Sequence, residues 1–519
     1  MWIATADRAR EMDRRARDEF GIPTRVLMER AGLAVFDVVR EMLPEGGKLA
    51  IFCGKGNNGG DAFVTARAAL DAGYSVVCLV AAEAGELSPD ADEQRHISQT
   101  QGVEPIYASD ARFARHLARL GCFDLIVDGL LGTGARGHVA GAIKTCIEAI
   151  NQSGVPVLAV DVPSGIQSDT GEELGDSIWA LRTVTFGLPK PCLFQGTGLE
   201  HSGYWTVADI GFPKNLLHEP TGVKMVCPAA VGRILPERMR ASHKGDNGRL
   251  LIVAGSEGMP GAASMAALAA LRAGIGLVTV ASIPSVCHAV AANVPEALLL
   301  PLPERFGAIS PDAARTLLEA QEKADAAVFG PGLTCRESIL NLLSEVWGRW
   351  TLPSVIDADA LNSVSQGVPL PASPCVMTPH PGEMGRLLES SVAEVQNDRL
   401  QTARAAVERF GKTVVLKGAF TLVGSPDEPI SVNSSGNPGM ASAGMGDVLS
   451  GLIGTLLAQD IPLPLAAVAG VYWHGLAADL AADEIGGIGF LARDVANRLP
   501  QARAKITASC DASSSFLPG

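Results

Sequence analysis

Several features that would narrow a function at once are missing from this chain. It has no cysteine pair at C-x-x-C spacing and no zinc-ligand pattern, although ten cysteines are scattered along it. Buried, reduced thiols are the simplest account of such cysteines, and they suit a cytoplasmic protein. Positive charge is scarce: 42 Lys and Arg against 56 Asp and Glu give a formal net charge of −14. That balance argues against broad nucleic-acid binding, which relies on a basic surface. It leaves room for a phosphorylated small ligand held by backbone amides and one or two lysines. No run is a convincing membrane span, because the Ala- and Leu-rich stretch 262–281 is broken by Arg272 and glycines. The first twenty residues mix both charges and lack the apolar core of a signal peptide. There is no internal repeat.

Glycine is abundant instead, at 57 of 519 residues, with 32 prolines and 47% hydrophobic residues. That length predicts two or three domains, and that composition suits many tight turns between strands and helices. Apolar runs at 48–53, 75–81, 122–128, 155–161 and 182–187 alternate with helical patterns at 62–72, 111–120 and 141–153. This rhythm predicts βαβ units and a mostly parallel sheet. A second series begins at 250–254, with a helix over 262–273. Strands follow near 276–281, 326–329, 354–357, 375–378 and 413–417, then a helix over 447–458. The fold class is α/β, with a first domain over 1–215, a linker over 216–225, a second domain over 226–505 and a disordered tail over 506–519.

In parallel sheets, ligands bind beyond the carboxyl ends of the strands. Three such loops stand out in the first half. Gly54-Lys55-Gly56-Asn57-Asn58-Gly59-Gly60-Asp61 follows the strand 48–53 and precedes a helix, an arrangement that points backbone N–H groups at a phosphate. It matches neither G-x-G-x-x-G nor a Walker loop, since no Gly-Lys-Ser/Thr follows. Asp128 heads Gly129-Leu130-Leu131-Gly132-Thr133-Gly134-Ala135-Arg136-Gly137, and Asp161 opens Val162-Pro163-Ser164-Gly165. Asn58, Asp128 and Ser164 could offer oxygen ligands to a hard cation. A lone aspartate at such a place is more readily a helix cap, whereas three at successive strand ends favour a site. Lys190 is equally a phosphate contact or a solvated surface lysine.

In the second half, Gly436-Asn437-Pro438-Gly439-Met440-Ala441-Ser442-Ala443-Gly444-Met445-Gly446-Asp447 leads into a helix. Its amides suit a transferring phosphoryl group, and Asp447 is placed to take a proton from an attacking hydroxyl. A simple N-cap is the competing role for that aspartate. Lys417-Gly418-Ala419-Phe420-Thr421 ends a strand with a lysine and free amides. His380, between two prolines, is held rigidly for binding or for structure.

Residues 54–61, 128–137 and 161–165 together resemble the N-terminal, Rossmann-like three-layer αβα epimerase domain of the bifunctional NAD(P)H-hydrate repair family. Stretches 242–281, 330–333, 357–362, 379–387, 416–421 and 436–451 resemble that family's ribokinase-like α/β dehydratase domain. The resemblance implies that the first half exchanges the R and S forms of NADHX and NADPHX. Asn57, Asn58, Gly59, Gly60, Asp61, Gly132, Thr133, Gly134, Ala135, Arg136, Gly137 and His138 would then bind substrate. Asp161 would contact substrate and is the acid/base candidate, with a potassium ion at Asn58, Asp128 and Ser164. It implies that the second half dehydrates the S form at the expense of ADP, with magnesium. There the substrate would lie at Ala262, Gly332, His380 and Asp447. The nucleotide would lie at Lys417, Gly418, Ala419, Phe420, Thr421 and Gly446. A homo-oligomer is implied as well. The chain departs from the family's usual Thr-Gly-Gly at Ser442-Ala443-Gly444, where Ala443 is expected to strain a positive-φ position. It also has Phe420 where glycine is favoured. A ribokinase-type small-molecule kinase fused to a silent nucleotide-binding module is the rival reading.

Overall fold

Strands whose residues are apolar on both faces must be covered on both sides, and the sequence supplies such strands twice. The structure is a computed structural model that describes residues 1–514. It divides into two units, Met1–Val223 and Lys224 onward, and the division falls inside the stretch read as a linker.

The first unit is built on seven strands in the order Pro105–Tyr107, Ser75–Val80, Lys48–Cys53, Leu125–Gly129, Val157–Val160, Arg182–Phe186 and Tyr204–Ala208. Neighbours are parallel throughout, with Ile51 opposite Cys78 on one side and Val127 on the other. Alternate residues of Lys48–Cys53 enter two separate cores: Leu49, Ile51 and Cys53 on one face, Ala50 and Phe52 on the other. Chain direction across the sheet reverses between Lys48–Cys53 and Leu125–Gly129, which opens a crevice at their carboxyl ends. The sequence left residues 1–47 unassigned; they form helices Ala6–Asp18 and Thr24–Met42.

The second unit holds a ten-stranded sheet. Its parallel part runs Leu298–Pro301, Leu277–Ser282, Arg249–Val253, Ala326–Phe329, Ser354–Ile356, Cys375–Met377 and Thr413–Leu416. Leu422–Gly424 and Ile430–Val432 then continue it antiparallel, with Val223–Met225 at the edge. The reversal point here lies between Arg249–Val253 and Ala326–Phe329. Helices Pro260–Ala273 and Met445–Ala458 pack against each other over this sheet. Leu463–Ile485 is the one helix among the described residues long and apolar enough to cross a membrane, and it is mostly buried inside the protein. The tail expected to be disordered from 506 instead continues the helix Ala492–Ser514, while 515–519 lie outside the described residues. All nine described cysteines are free.

Candidate active sites

In the first unit, the glycine-rich segment is more helical than its composition suggested. The helix begins at Asn57 rather than at 62, so Asn57–Asp61 form its opening turn. Two close approaches explain the glycines: a Cβ on Gly59 would stand 2.0 Å from the Gly54 carbonyl oxygen, and one on Gly54 would stand 1.8 Å from that of Leu130. The turn can therefore lie flat on the neighbouring loop only with no side chain at either place.

A cavity of about 710 Å³ opens at the sheet's reversal point. Asn57, Asn58, Asp61, Gly132, Thr133, Gly134, Ala135 and Asp161 line it, as do Asp13 and Lys190. Gly59 and Gly60 lie behind this wall, Gly60 against the Met28 sulfur. Arg136, Gly137 and His138 are not in it. The Arg136 guanidinium donates to the carbonyl of Ala135 at 2.9 Å, and the His138 ring lies beside Gly175.

Beneath the cavity, the Ser164 hydroxyl donates to Asp128 Oδ1 at 2.6 Å, and the Ser164 amide to Oδ2 at 2.8 Å. Asn58 Nδ2 donates to the Leu131 carbonyl at 2.8 Å. The Leu131 amide in turn donates to Ser164 Oγ at 2.8 Å. Asp128 is fully buried and has no ion-pair partner among the described residues, so burial pushes its carboxyl up to about 6. One buried carboxylate among amide, hydroxyl and carbonyl oxygens is a donor set that suits a hard monovalent cation. No group of three or more acidic, His or Cys side chains suited to a transition metal occurs among the described residues.

Both roles foreseen for Lys190 are overturned. It is buried, and its three ammonium protons are all taken: Asp161 Oδ1 at 2.5 Å, Thr185 Oγ1 at 3.0 Å and the Phe186 carbonyl at 3.0 Å. Nothing remains to offer a phosphate. Its task is to hold Asp161, which adopts the left-handed conformation at φ +65°. Such strain costs on the order of 1–3 kcal/mol and persists only where surroundings enforce it. Asp13, from a helix missed in the sequence, faces the same cavity. It is solvent-accessible yet set in a concave wall, and its carboxyl is raised to about 6 by burial, then by Asp161 against Lys190.

The second unit gathers its residues around the start of Met445–Ala458. Gly444, at φ +87°, turns the chain into that helix. Ala443 does not take a positive φ, so the strain foreseen there is absent; Phe420 at φ +48° carries it instead. Asp447 lies in the first helical turn. Burial, then the charge of Asp357, raises its carboxyl to about 7 although Lys417 opposes the shift. A Cβ on Gly446 would sit 3.4 Å from Lys417 Nζ. Ala262 opens Pro260–Ala273 and packs against Gly332, whose Cβ position would lie 3.2 Å from the Ala262 Cβ.

His380 proves to be a helix cap. Its ring accepts from the amides of Gly382 at 3.0 Å and Glu383 at 3.3 Å, while Glu383 returns the bond to the His380 amide at 2.8 Å. Its side chain is half-exposed with Nε2 3.4 Å from Glu383 Oε1, and burial together with Lys417 lowers its basicity.

Three supporting residues escaped the sequence. Asp357 anchors Lys417, and Arg399 donates to the carbonyls of Leu416 and Lys417 at 3.1 and 3.2 Å, bracing the loop 417–421. Within that loop the Thr421 hydroxyl donates to the Gly418 carbonyl at 2.8 Å, and Ala419 sits at the turn. Asp479 accepts from the Gly436 amide and from Asn437 Nδ2, both at 2.9 Å, fixing the glycine-rich turn. Each partner is remote in sequence, so no local motif announces it.

Comparison with known proteins identifies the family of each half. The family described as YjeF-related protein N-terminus matches residues 24–192, and that described as NAD(P)H-hydrate dehydratase matches residues 250–501. A bifunctional NAD(P)H-hydrate repair enzyme of Moorella thermoacetica is 39% identical over 509 residues, covering 96% of each chain. That of Escherichia coli is 38% identical, over 95% of this chain and 92% of its own. A crystal structure of the ADP/ATP-dependent NAD(P)H-hydrate dehydratase of Bacillus subtilis, co-crystallized with ATP and Mg2+, is 32% identical with a TM-score of 0.50. It matches 55% of this chain and 99% of its own. Two unrelated strand-end sites, in this order and at this overall similarity, place the chain in the bifunctional NAD(P)H-hydrate repair enzyme family.

Proposed function

We propose that the chain repairs hydrated NADH and NADPH in two steps, one per unit. The first unit exchanges the R and S configurations of NADHX and NADPHX at the ring carbon bearing the added hydroxyl. The second dehydrates the S form at the expense of ADP, yielding NAD(P)H, AMP and phosphate. The observation that carries this reading is Asp447: a half-buried carboxyl, raised to about 7, in the first turn of a helix entered through a glycine-rich turn.

A hydroxyl is a poor leaving group and a phosphate a good one. Asp447 takes the proton of the substrate hydroxyl as its oxygen attacks the terminal phosphorus of ADP. The P–O bond to AMP breaks while the amides at the helix start face the shifting charge. Phosphate then departs with the C–O pair, and the adjacent ring carbon gives its proton to the departing phosphate as the double bond forms. Ala262, Gly332 and the half-exposed edge of His380 border the substrate, and the loop 417–421 with Gly446 borders the nucleotide. Magnesium would accompany the nucleotide phosphates and supply compensating charge there. In the first unit, Asn58, Asp128 and Ser164 would hold a potassium ion, which offsets the buried Asp128 charge and fixes the loop 129–134. The proposed setting is cytoplasmic and the proposed assembly a homo-oligomer.

The test is to mix the protein with hydrated NADH and ADP and follow the return of reduced-nicotinamide absorbance. A small-molecule kinase would need ATP and leave the hydrate untouched, and that outcome would overturn the dehydratase reading. Full-length similarity to repair enzymes weighs against that rival.

A further inference from the structure

Two of the carboxyls that line the cavity of the first unit, Asp161 and Asp61, are held in contrasting ways. Asp161 accepts three hydrogen bonds on Oδ1, from Lys190 Nζ at 2.5 Å, the Thr185 hydroxyl at 2.9 Å and the Phe186 amide at 3.3 Å. Its Oδ2 accepts none of these. These bonds fix the carboxylate while its other oxygen stays available. Asp61, on the helix Asn57–Asp71, lines the same cavity but has neither a cation nor a hydrogen-bond donor on its side chain among the described residues. It is only 8% exposed.

We propose that Asp61 is the general acid of hydrate epimerisation and that Asp161 is the base working with it. This rests on the reading of the first unit as an epimerase. Inverting the carbinol carbon requires the C–O bond to break and re-form on the other face. The ring nitrogen beside that carbon supplies its lone pair to form a C=N bond, and the hydroxyl leaves as water with the proton of Asp61. Water then adds to the opposite face, the C=N pair returns to nitrogen, and the added water gives its extra proton to Asp161. Between turnovers, Asp61 regains a proton from solvent and Asp161 releases one, so atoms and charge balance. Pairs of acids whose surroundings drive their protonation apart are the usual way one site supplies both acid and base.

The electrostatics agree with the geometry. Burial, then the charges of Asp161 and Asp13, hold the Asp61 carboxyl well above its ordinary range, and only Lys190 opposes them. Arg10, Lys55, Glu83 and Glu86 are the other charged groups on the cavity wall. A raised carboxyl is in its acid form below its own pKa, so the acid is lost as pH rises through that value.

The test uses the full-length protein without ADP, so that only exchange occurs, with R-enriched hydrated NADH and separation of the epimers by chromatography. For Asp61→Asn the exchange rate should fall by roughly 100-fold or more, with hydrate still protecting the protein against thermal unfolding. The parent rate should decline on the alkaline side, and the variant's residual rate should lack that limb. In oxygen-18 water the new epimer should carry label in its hydroxyl. An Asp61→Asn variant within threefold of the parent and with the same alkaline limb would overturn the assignment, as would an unlabelled product. If Asp61→Asn does not fold, Asp61→Glu should exchange the epimers with a displaced alkaline limb, and an unmoved limb overturns the assignment equally. Absence of exchange in the parent would instead remove the epimerase reading itself.

Discussion

Lys417 Nζ lies 2.8 Å from Asp357 Oδ1, and the same carboxylate accepts the Ser450 hydroxyl on Oδ2 at 2.6 Å. Burial alone would raise Asp357, but the Lys417 ammonium and its hydrogen bonds outweigh burial and hold the carboxyl below its ordinary value. Glu383 stands 3.7 Å from the same ammonium. Lys417, whose position at a strand end suggests nucleotide binding, thus already belongs to an internal ion pair under the loop it leads.

Breaking that pair should be costly. Removing one partner of a buried pair costs about 3–5 kcal/mol, and Glu383, still beside Lys417, keeps the loss at the lower end of that range. Asp357→Asn should lose that much stability in urea unfolding at neutral pH. Because the Asp357 carboxyl is depressed in the folded state, its contribution is full above the ordinary carboxylate range and disappears as pH falls through the depressed value. The gap between parent and variant should therefore close in acid; a constant gap would refute the pairing.

Dehydratase activity should depend on the ionised form of Asp447. Its carboxyl is raised to about 7, so the base form exists above that value and is lost below it. The kcat/KM for hydrated NADH should rise with pH and level off above roughly pH 7–8. Asp447→Asn should lower kcat by about 100-fold or more and remove this limb.

Potassium should stabilise the chain in a pH-dependent way. The Asp128 carboxyl is raised to about 6 when the site holds only protein groups, so its ionised form is a burden to the fold as pH climbs past the ordinary carboxylate range. A cation binds that ionised form. The thermal midpoint in potassium should exceed that in a bulky organic cation, by more at pH 7 than at pH 5. Asp128→Asn should abolish the difference.

Gly59→Ala should disable the first unit while sparing the second. The added methyl would meet the Gly54 carbonyl oxygen at 2.0 Å, and a backbone atom cannot move aside cheaply. The overpacking cost is about 1–3 kcal/mol or more. Epimer exchange should fall with dehydration of the S form unaffected, as chromatography and absorbance can measure on one preparation.

Much of this architecture was legible. Strands such as Ala326–Phe329, apolar on both faces, and the turns behind them announce parallel sheets. The glycines before Asp447 correctly marked a helix start, because few other sequences supply a left-handed turn followed by a carboxylate. Less was legible where partners are distant. Lys190 was open to two readings, phosphate contact or surface lysine, because nothing near it in sequence says that Asp161, 29 residues earlier, takes its charge. Asp13 could not be foreseen, since its helix precedes the strand–helix rhythm that organised the reading. Of the two positions where glycine is favoured, Phe420 takes the positive φ and Ala443 does not, because φ is set by how each loop joins its neighbours.

The division of the chain at Val223 has a consequence for inheritance. Every wall residue of the cavity in the first unit comes from before that point, whereas Asp357, Lys417 and Asp447 all come after it. Lesions on the two sides should therefore complement one another in trans, as if two genes had been joined end to end.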